Sequence, residues 1–177
     1  MKFRLGSLLA TLALAAASFT AQAGIISTSV YTGYPSGGAL VGTLSGNDIM
    51  YATNTGYNWH PFGLFSFNTV STGAFQVAAN GTYTFTLNSD DDSYLYIDGN
   101  LVVNDGGAHG PQTVSGSTAL SAGYHTFQVN FAECCGGPSG VDLYLPQGVG
   151  YTAVPEPATL GLFALGLLGF GAIRRRR

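Results

Sequence analysis

Every lysine and arginine of this 177-residue chain lies near one end or the other, as Lys2, Arg4 and Arg174, Arg175, Arg176 and Arg177. All the acidic side chains except Glu156 lie between them, in a body from Gly24 to Ala153 that contains no lysine and no arginine. A carboxylate buried in such a body has no lysine or arginine to pair with. It must protonate, gather backbone N–H donors or bind a metal ion. Nucleic acid is excluded as a partner, because nothing in the body neutralises phosphates.

The acids are densest at Ser89-Asp90-Asp91-Asp92, between two alternating apolar runs. Three adjacent carboxylates repel one another, so the loop is either fully solvated or holds a cation among its oxygens. Successive side chains on a regular strand point to opposite faces. Aiming Asp90 and Asp91 at one ion therefore needs a distorted backbone between them, such as a cis peptide bond. Calcium suits such a loop, taking six to eight oxygens at ~2.3–2.6 Å in flexible geometry. An EF-hand is ruled out, since Leu95 stands where its turn glycine is required.

Both ends read as processing segments. Lys2 and Arg4, the apolar run Leu8 to Ala17 and the small-residue site Ala21-Gln22-Ala23 make residues 1–23 a secretory signal peptide, with cleavage expected before Gly24. At the other end, residues 154–177 hold Pro155-Glu156-Pro157, the apolar stretch Ala158 to Ile173 and the arginine cluster. As a helix that stretch spans about 24 Å, short of the ~30 Å hydrocarbon core by a margin that flanking arginines cover by snorkelling. The arginines place this end in the cytoplasm and the body outside.

Within residues 24–153 the apolar residues alternate with polar ones. Tyr83, Phe85 and Leu87 share a face, as do Leu95 and Ile97, and His125, Phe127, Val129 and Phe131. Val141, Leu143 and Leu145 oppose Asp142 and Tyr144. Turn signals at Asn80-Gly81, Asp98-Gly99, Asp105-Gly106-Gly107, Ala122-Gly123 and Gly136-Gly137-Pro138 separate them. The expected fold is all-β, a single antiparallel β-sandwich or compact barrel. Before Thr72 the pattern weakens, with Ile25 to Tyr31 and Leu64 to Val70 as candidate strands. Asp98 is expected to make local turn hydrogen bonds, and His125 to be semi-buried and satisfied.

The C-terminal Pro-Glu-Pro, short apolar helix and arginine cluster resemble the PEP-CTERM sorting signal of Gram-negative bacteria. That resemblance implies export, passing anchorage in the inner membrane, processing by an exosortase, and a place at the cell surface or in exopolysaccharide and biofilm matrix. The body resembles a second family, the PA-fourteen domain (the lectin-like protective-antigen module). Gly81-Thr82-Tyr83-Thr84-Phe85, Ser89-Asp90-Asp91, Leu95-Tyr96-Ile97-Asp98-Gly99, Val102-Val103-Asn104-Asp105, His109-Gly110, Ser121-Ala122-Gly123-Tyr124-His125 and Phe131-Ala132-Glu133 carry that resemblance. It implies that Asp90 and Asp91 are a cis-linked pair binding calcium, which in turn binds sugar hydroxyls. It also implies that the loop from Glu133 to Gly140 supplies further ligands and sets specificity. Asp92 stands where the family usually has glycine, as a third ligand or a solvated neighbour.

The candidate metal ligands are thus Asp90, Asp91, Asp92 and Glu133. Tyr94 and Tyr96, with Tyr57 and Trp59, are candidate exposed aromatics for stacking on sugar. His109 is placed at the site or in a structural hydrogen bond. Cys134, Cys135, Gly136 and Gly137 are expected in the ligand-facing loop, the cysteines bridged to each other, free, or paired between molecules. The functional expectation is a calcium-dependent, carbohydrate-binding protein without catalysis. The alternatives are a structural matrix protein whose calcium only stabilises a loop and, more distantly, a glycan hydrolase.

Overall fold

The computed structural model describes residues 26–153. The expected signal peptide and C-terminal apolar helix lie outside the described residues. Among the described residues no helix is long and apolar enough to cross a membrane.

The strands run β1 (Ile26–Thr32), β2 (Leu40–Gly46), β3 (Phe67–Val77), β4 (Gly81–Asp90), β5 (Ser93–Ile97), β6 (Asn100–Asp105), β7 (Gln112–Leu120), β8 (Gly123–Glu133), β9 (Gly140–Tyr144) and β10 (Tyr151–Thr152). They form two antiparallel sheets. The larger has the order β2-β1-β3-β8-β5-β6 with β10 added against β3, and the smaller has the order β7-β4-β9. The alternation read from the sequence sets the faces: Phe85 and Leu87 of the small sheet and Leu95, Ile97, Phe127 and Val129 of the large one are all buried. Gly116 in the middle of β7 allows close approach, because a Cβ there would run into the Val102 carbonyl on β6. The β5–β6 hairpin turns at Asp98-Gly99, with φ of 48° and 80°. Positive φ at both turn positions is the two-residue geometry that matches strand twist.

Asp98 does sit in that turn, but its carboxylate reaches across to β8 rather than bonding locally. It accepts from Thr126 N at 2.9 Å and meets His125 Nδ1 at 2.6 Å. Burial is the largest single influence on His125 and opposes its charge, but the bond to Asp98, the bond to the Ser121 carbonyl and the Asp98 charge together outweigh it and the imidazole pKa is raised. His125 is buried and satisfied, with its other nitrogen 2.8 Å from the Ser121 carbonyl.

Two expectations need correction. Trp59 is a core residue rather than an exposed sugar platform: it is 7% exposed and stacks on Tyr51 with ring centroids 3.9 Å apart. Phe67 packs edge-on against it at 5.7 Å. Asp142, read as the outward partner of Val141 and Leu143, is fully buried. A short helix, α1 (Tyr51–Thr55), closes over β9 at that point, and its first N–H groups bond the Asp142 carboxylate.

The fold carries the chain from one sheet to the other through the acidic triplet. Asp90 ends β4 in the small sheet and Ser93 begins β5 in the large one. Pairing of β3 with β8 sets Phe67 opposite Glu133, and pairing of β4 with β9 sets Asp90 opposite Gly140. The ends of β4, β6 and β8 and the start of β9 therefore meet at one end of the sandwich.

Candidate metal centre

Asp90, Asp91 and Glu133 each present a carboxylate oxygen within 4.8 Å of the other two. All three residues are buried, Glu133 with only 1% of its surface exposed. The peptide bond between Asp90 and Asp91 is cis. Backbone donors hold the group in place. Asp91 accepts from His109 N at 2.8 Å and from Cys134 N at 3.0 Å, one on each oxygen. Glu133 Oε1 accepts from Cys135 N at 3.0 Å and Gly136 N at 2.9 Å. Glu133 Oε2 is buried and has no partner at all.

The electrostatics reflect this crowding. Asp90 is pushed up to about 6, first by burial and then by the negative charges of Asp91 and Glu133. The Glu133 carboxyl is raised by burial, with Asp91 adding to it and the Cys135 and Gly136 N–H groups working against it. No lysine or arginine lies in residues 26–153 to relieve the repulsion. A divalent cation would relieve it. Three oxygen donors with an orphaned buried carboxylate oxygen among them fit a hard cation such as calcium, whose remaining positions are open to carbonyls, water or a ligand.

Asp92 does not converge with these three, and it is not solvated either. It is 3% exposed and faces Tyr34, whose hydroxyl is pushed up to about 12, chiefly by its hydrogen bond to Asp92. The sheet change explains this, since the residue after the Asp90-Asp91 turn already points toward the loop that succeeds β1. His109 serves through its main chain. Its ring bonds the Gly110 carbonyl at 2.9 Å and lies near Asp105, while its N–H orients Asp91. Asp105 itself is buried, accepting from Gln112 Nε2 at 2.6 Å and Ser89 Oγ at 3.1 Å.

Tyr94 and Tyr96, with Asn68, Val70 and Asn130, line a hollow of about 270 Å³ on the outer face of the large sheet. The Tyr94 hydroxyl is raised by burial and then by the charge of Asp92, with Asp105 adding to it, so this tyrosine borders the acidic corner. Tyr57 is half-buried and donates to Asn88 Oδ1 at 2.6 Å. The exposed aromatic beside the centre is one that sequence reasoning missed. Phe65 is 60% exposed, stands against Gly136 of the loop after Glu133, and packs on His60 at 4.6 Å. It falls within Leu64 to Val70, read as a strand, whereas β3 starts only at Phe67. Pro61 and Gly63 are the turn signals that mark its stretch as loop.

Cys134 and Cys135 are joined to each other by a disulfide, with Cα atoms 3.7 Å apart. Cys135, Gly136 and Gly137 are exposed, so the expected ligand-facing loop is a surface loop tied to the centre by its N–H groups.

The two-sheet architecture recurs in solved structures. The PA14 domain of MpAFP antifreeze protein superposes with a TM-score of 0.58 at 15% identity, over 78% of this chain and 95% of that one. The PA14 sugar-binding domain from RTX adhesin gives 0.52 at 18%, over 73% of this chain and 94% of that one. An anti-sigma factor domain-containing protein from Clostridium clariflavum gives 0.59 at 16%, over 75% and 47%. The chain spans less than half of such longer matches, and about 16% of the β-glucosidase from Kluyveromyces marxianus. At these identities the likeness is one of fold. No curated protein matches the sequence significantly. The PEP-CTERM protein-sorting motif matches residues 153–177, which marks an exported, surface-sorted protein. The PA14 domain matches residues 48–156, the greater part of the chain, and this protein belongs to the PA14 domain family.

Proposed function

We propose that this exported protein binds carbohydrate outside the cell through a calcium ion held by Asp90, Asp91 and Glu133. The observation that carries the reading is the convergence of three buried carboxylates, one with an unpartnered oxygen, in a body without lysine or arginine. Asp91 and Glu133 are pre-oriented by backbone donors from the loops around them. Bound there, calcium would supply a Lewis-acidic centre able to take neighbouring sugar hydroxyls as ligands. Phe65 and the exposed Cys134–Cys135 bridge offer an apolar surface beside it for the C–H face of a sugar ring.

The sugar-binding adhesin domain of the same fold supports a carbohydrate, and the sorting motif supports exopolysaccharide or biofilm matrix as its source and an exosortase as the processing partner. The reading is of a binding protein rather than a hydrolase. The glycosidases among the structural matches share only a small part of their length with this chain.

Titrating calcium into the metal-free exported protein by calorimetry tests the centre, and a glycan array with and without a chelator tests the ligand. Glycan retention that the chelator abolishes is the expected result. Calcium uptake with no glycan retained would leave the ion a purely structural role, and no uptake at millimolar calcium would end the reading.

Calcium and protons compete for the same oxygens. With Asp90 at about 6, uptake is expected to be unaffected between pH 8 and 7 and to weaken steadily as the pH falls below about 6. A pH-independent affinity between 7 and 5 would remove Asp90 from the ligand set. Phe65→Ala is expected to lower glycan affinity roughly tenfold, in line with about 1–1.5 kcal/mol for an aromatic contact, while leaving calcium affinity unchanged. Equal loss of both would mean that Phe65 only supports the loop.

A further inference from the structure

The bridge between Cys134 and Cys135 lies on the backbone that orients the metal centre. Cys134 N donates to Asp91 Oδ2 at 3.0 Å, and Cys135 N donates to Glu133 Oε1 at 3.0 Å. Two of the three convergent carboxylates are thus held by the very residues that the disulfide joins. The chain continues into a glycine pair, Gly136 with φ of 72° and then Gly137, both exposed. Such a stretch has little conformational restraint of its own. Gly136 N–H also donates to Glu133 Oε1, at 2.9 Å, and beyond it the next backbone bond is at Ser139, whose N–H bonds the Tyr57 carbonyl at 2.8 Å.

From this placement we infer that the Cys134–Cys135 bridge is a redox-sensitive latch on the calcium site, closed when oxidised and weakening calcium binding when reduced. The inference rests on the calcium reading above and adds its regulation. Cys135 is exposed, so an external dithiol reaches the bridge from solvent. The dithiol supplies two electrons and two protons. Its thiolate attacks one sulfur, the Cys134–Cys135 bond breaks, both cysteines end as thiols, and the reductant closes its own disulfide. The freed backbone then samples conformations in which its two N–H groups leave Asp91 and Glu133. Calcium must bear the cost of ordering them again, so affinity falls through lost pre-organisation. No ligand oxygen is removed, which makes the effect a weakening rather than an abolition.

The test is calcium titration into the full chain in mild detergent, oxidised, reduced with a phosphine that does not bind calcium, and reoxidised. Thiol counting confirms each state. Reduction is expected to weaken calcium affinity at least tenfold, and reoxidation to restore it. C134A/C135A, folded by circular dichroism, is expected to match the reduced protein and to ignore the reductant. Should that variant not fold, the reduction and reoxidation cycle on the unaltered protein decides alone. Affinities within twofold in the oxidised and reduced states would overturn the latch and leave the calcium site standing. An oxidised protein that takes up no calcium would overturn both.

Discussion

Glu133→Gln is expected to abolish calcium uptake and, at the same time, to make the metal-free protein more stable. The two signs come from one arrangement. Glutamine keeps the Oε1 acceptor that receives the Cys135 and Gly136 N–H groups, so the loop loses no hydrogen bond. What disappears is one of three mutually repelling buried charges, in a body with no lysine or arginine to balance them. Relief of that repulsion should raise metal-free stability by about 1–2 kcal/mol, the screened value for like charges at this separation. Calcium, losing a charged ligand, should bind at least 100-fold more weakly, and the calcium-dependent rise in melting temperature should vanish.

The pH dependence sharpens the test. Asp90 holds its proton up to about 6 in the folded state, against an ordinary 3.8. Its folded form therefore binds more protons than its unfolded form between those values, and metal-free stability falls as pH rises from about 4 to 6. Removing the Glu133 charge should flatten that fall, because Glu133 is one of the causes of the shift. Thermal melts at pH 4, 5, 6 and 7 with and without calcium measure all of this. If Glu133→Gln instead lowers metal-free stability and leaves uptake intact, Glu133 is an anchor for its loop and no part of a metal centre.

The parts of the fold written in alternation were legible. Over most of β4, β5 and β8 the inward residues are apolar and the outward ones are polar or tyrosine, so period and burial agree. β2 was not legible, since it is an edge strand exposed over most of its length, with Leu44 alone packed against the core. α1 has five residues and too little sequence to show a helical period. The acidic corner stood out because three like charges in a row demand an explanation, but the sheet change at Asp91-Asp92 decides which of them converge. That crossing is a tertiary fact, and it separates Asp92 from its neighbours. Trp59 misled for a related reason: an aromatic in a stretch without regular alternation gives no sign of the Tyr51 ring that covers it.

Asp142→Ala is expected to be the most destabilising single substitution outside the apolar core, by about 3–4 kcal/mol. Its carboxylate accepts from Ala52 N at 2.9 Å, from Thr53 N at 3.1 Å, from the Thr53 hydroxyl, from Asn88 Nδ2 at 3.3 Å and from Tyr144 OH at 3.2 Å. Alanine strands these donors, the Ala52 N–H in a fully buried residue. A helix as short as α1 has no stability of its own, so the loss of this anchor should release it. For a domain of this size the melting temperature should drop by roughly 10–15 °C.

The release also propagates toward the metal centre. Ala52 O accepts from Tyr57 N, Tyr57 O from Ser139 N, and Ser139 O from Trp59 N, at 2.8, 2.8 and 3.0 Å. Through these bonds α1 holds the far end of the loop that begins at Glu133. Calcium affinity should therefore fall severalfold in Asp142→Ala although Asp142 offers the ion no oxygen, whereas Thr53→Ala, which removes one donor and leaves the backbone bonds, should cost only about 1 kcal/mol. Denaturant melts with calorimetric titration on both variants measure this. A stability within about 1 kcal/mol of the unaltered protein would mean that β9 carries α1 by packing alone. A large destabilisation with unchanged calcium affinity would mean that the loop is fixed by its bonds to Asp91 and Glu133 and not from its Ser139 end.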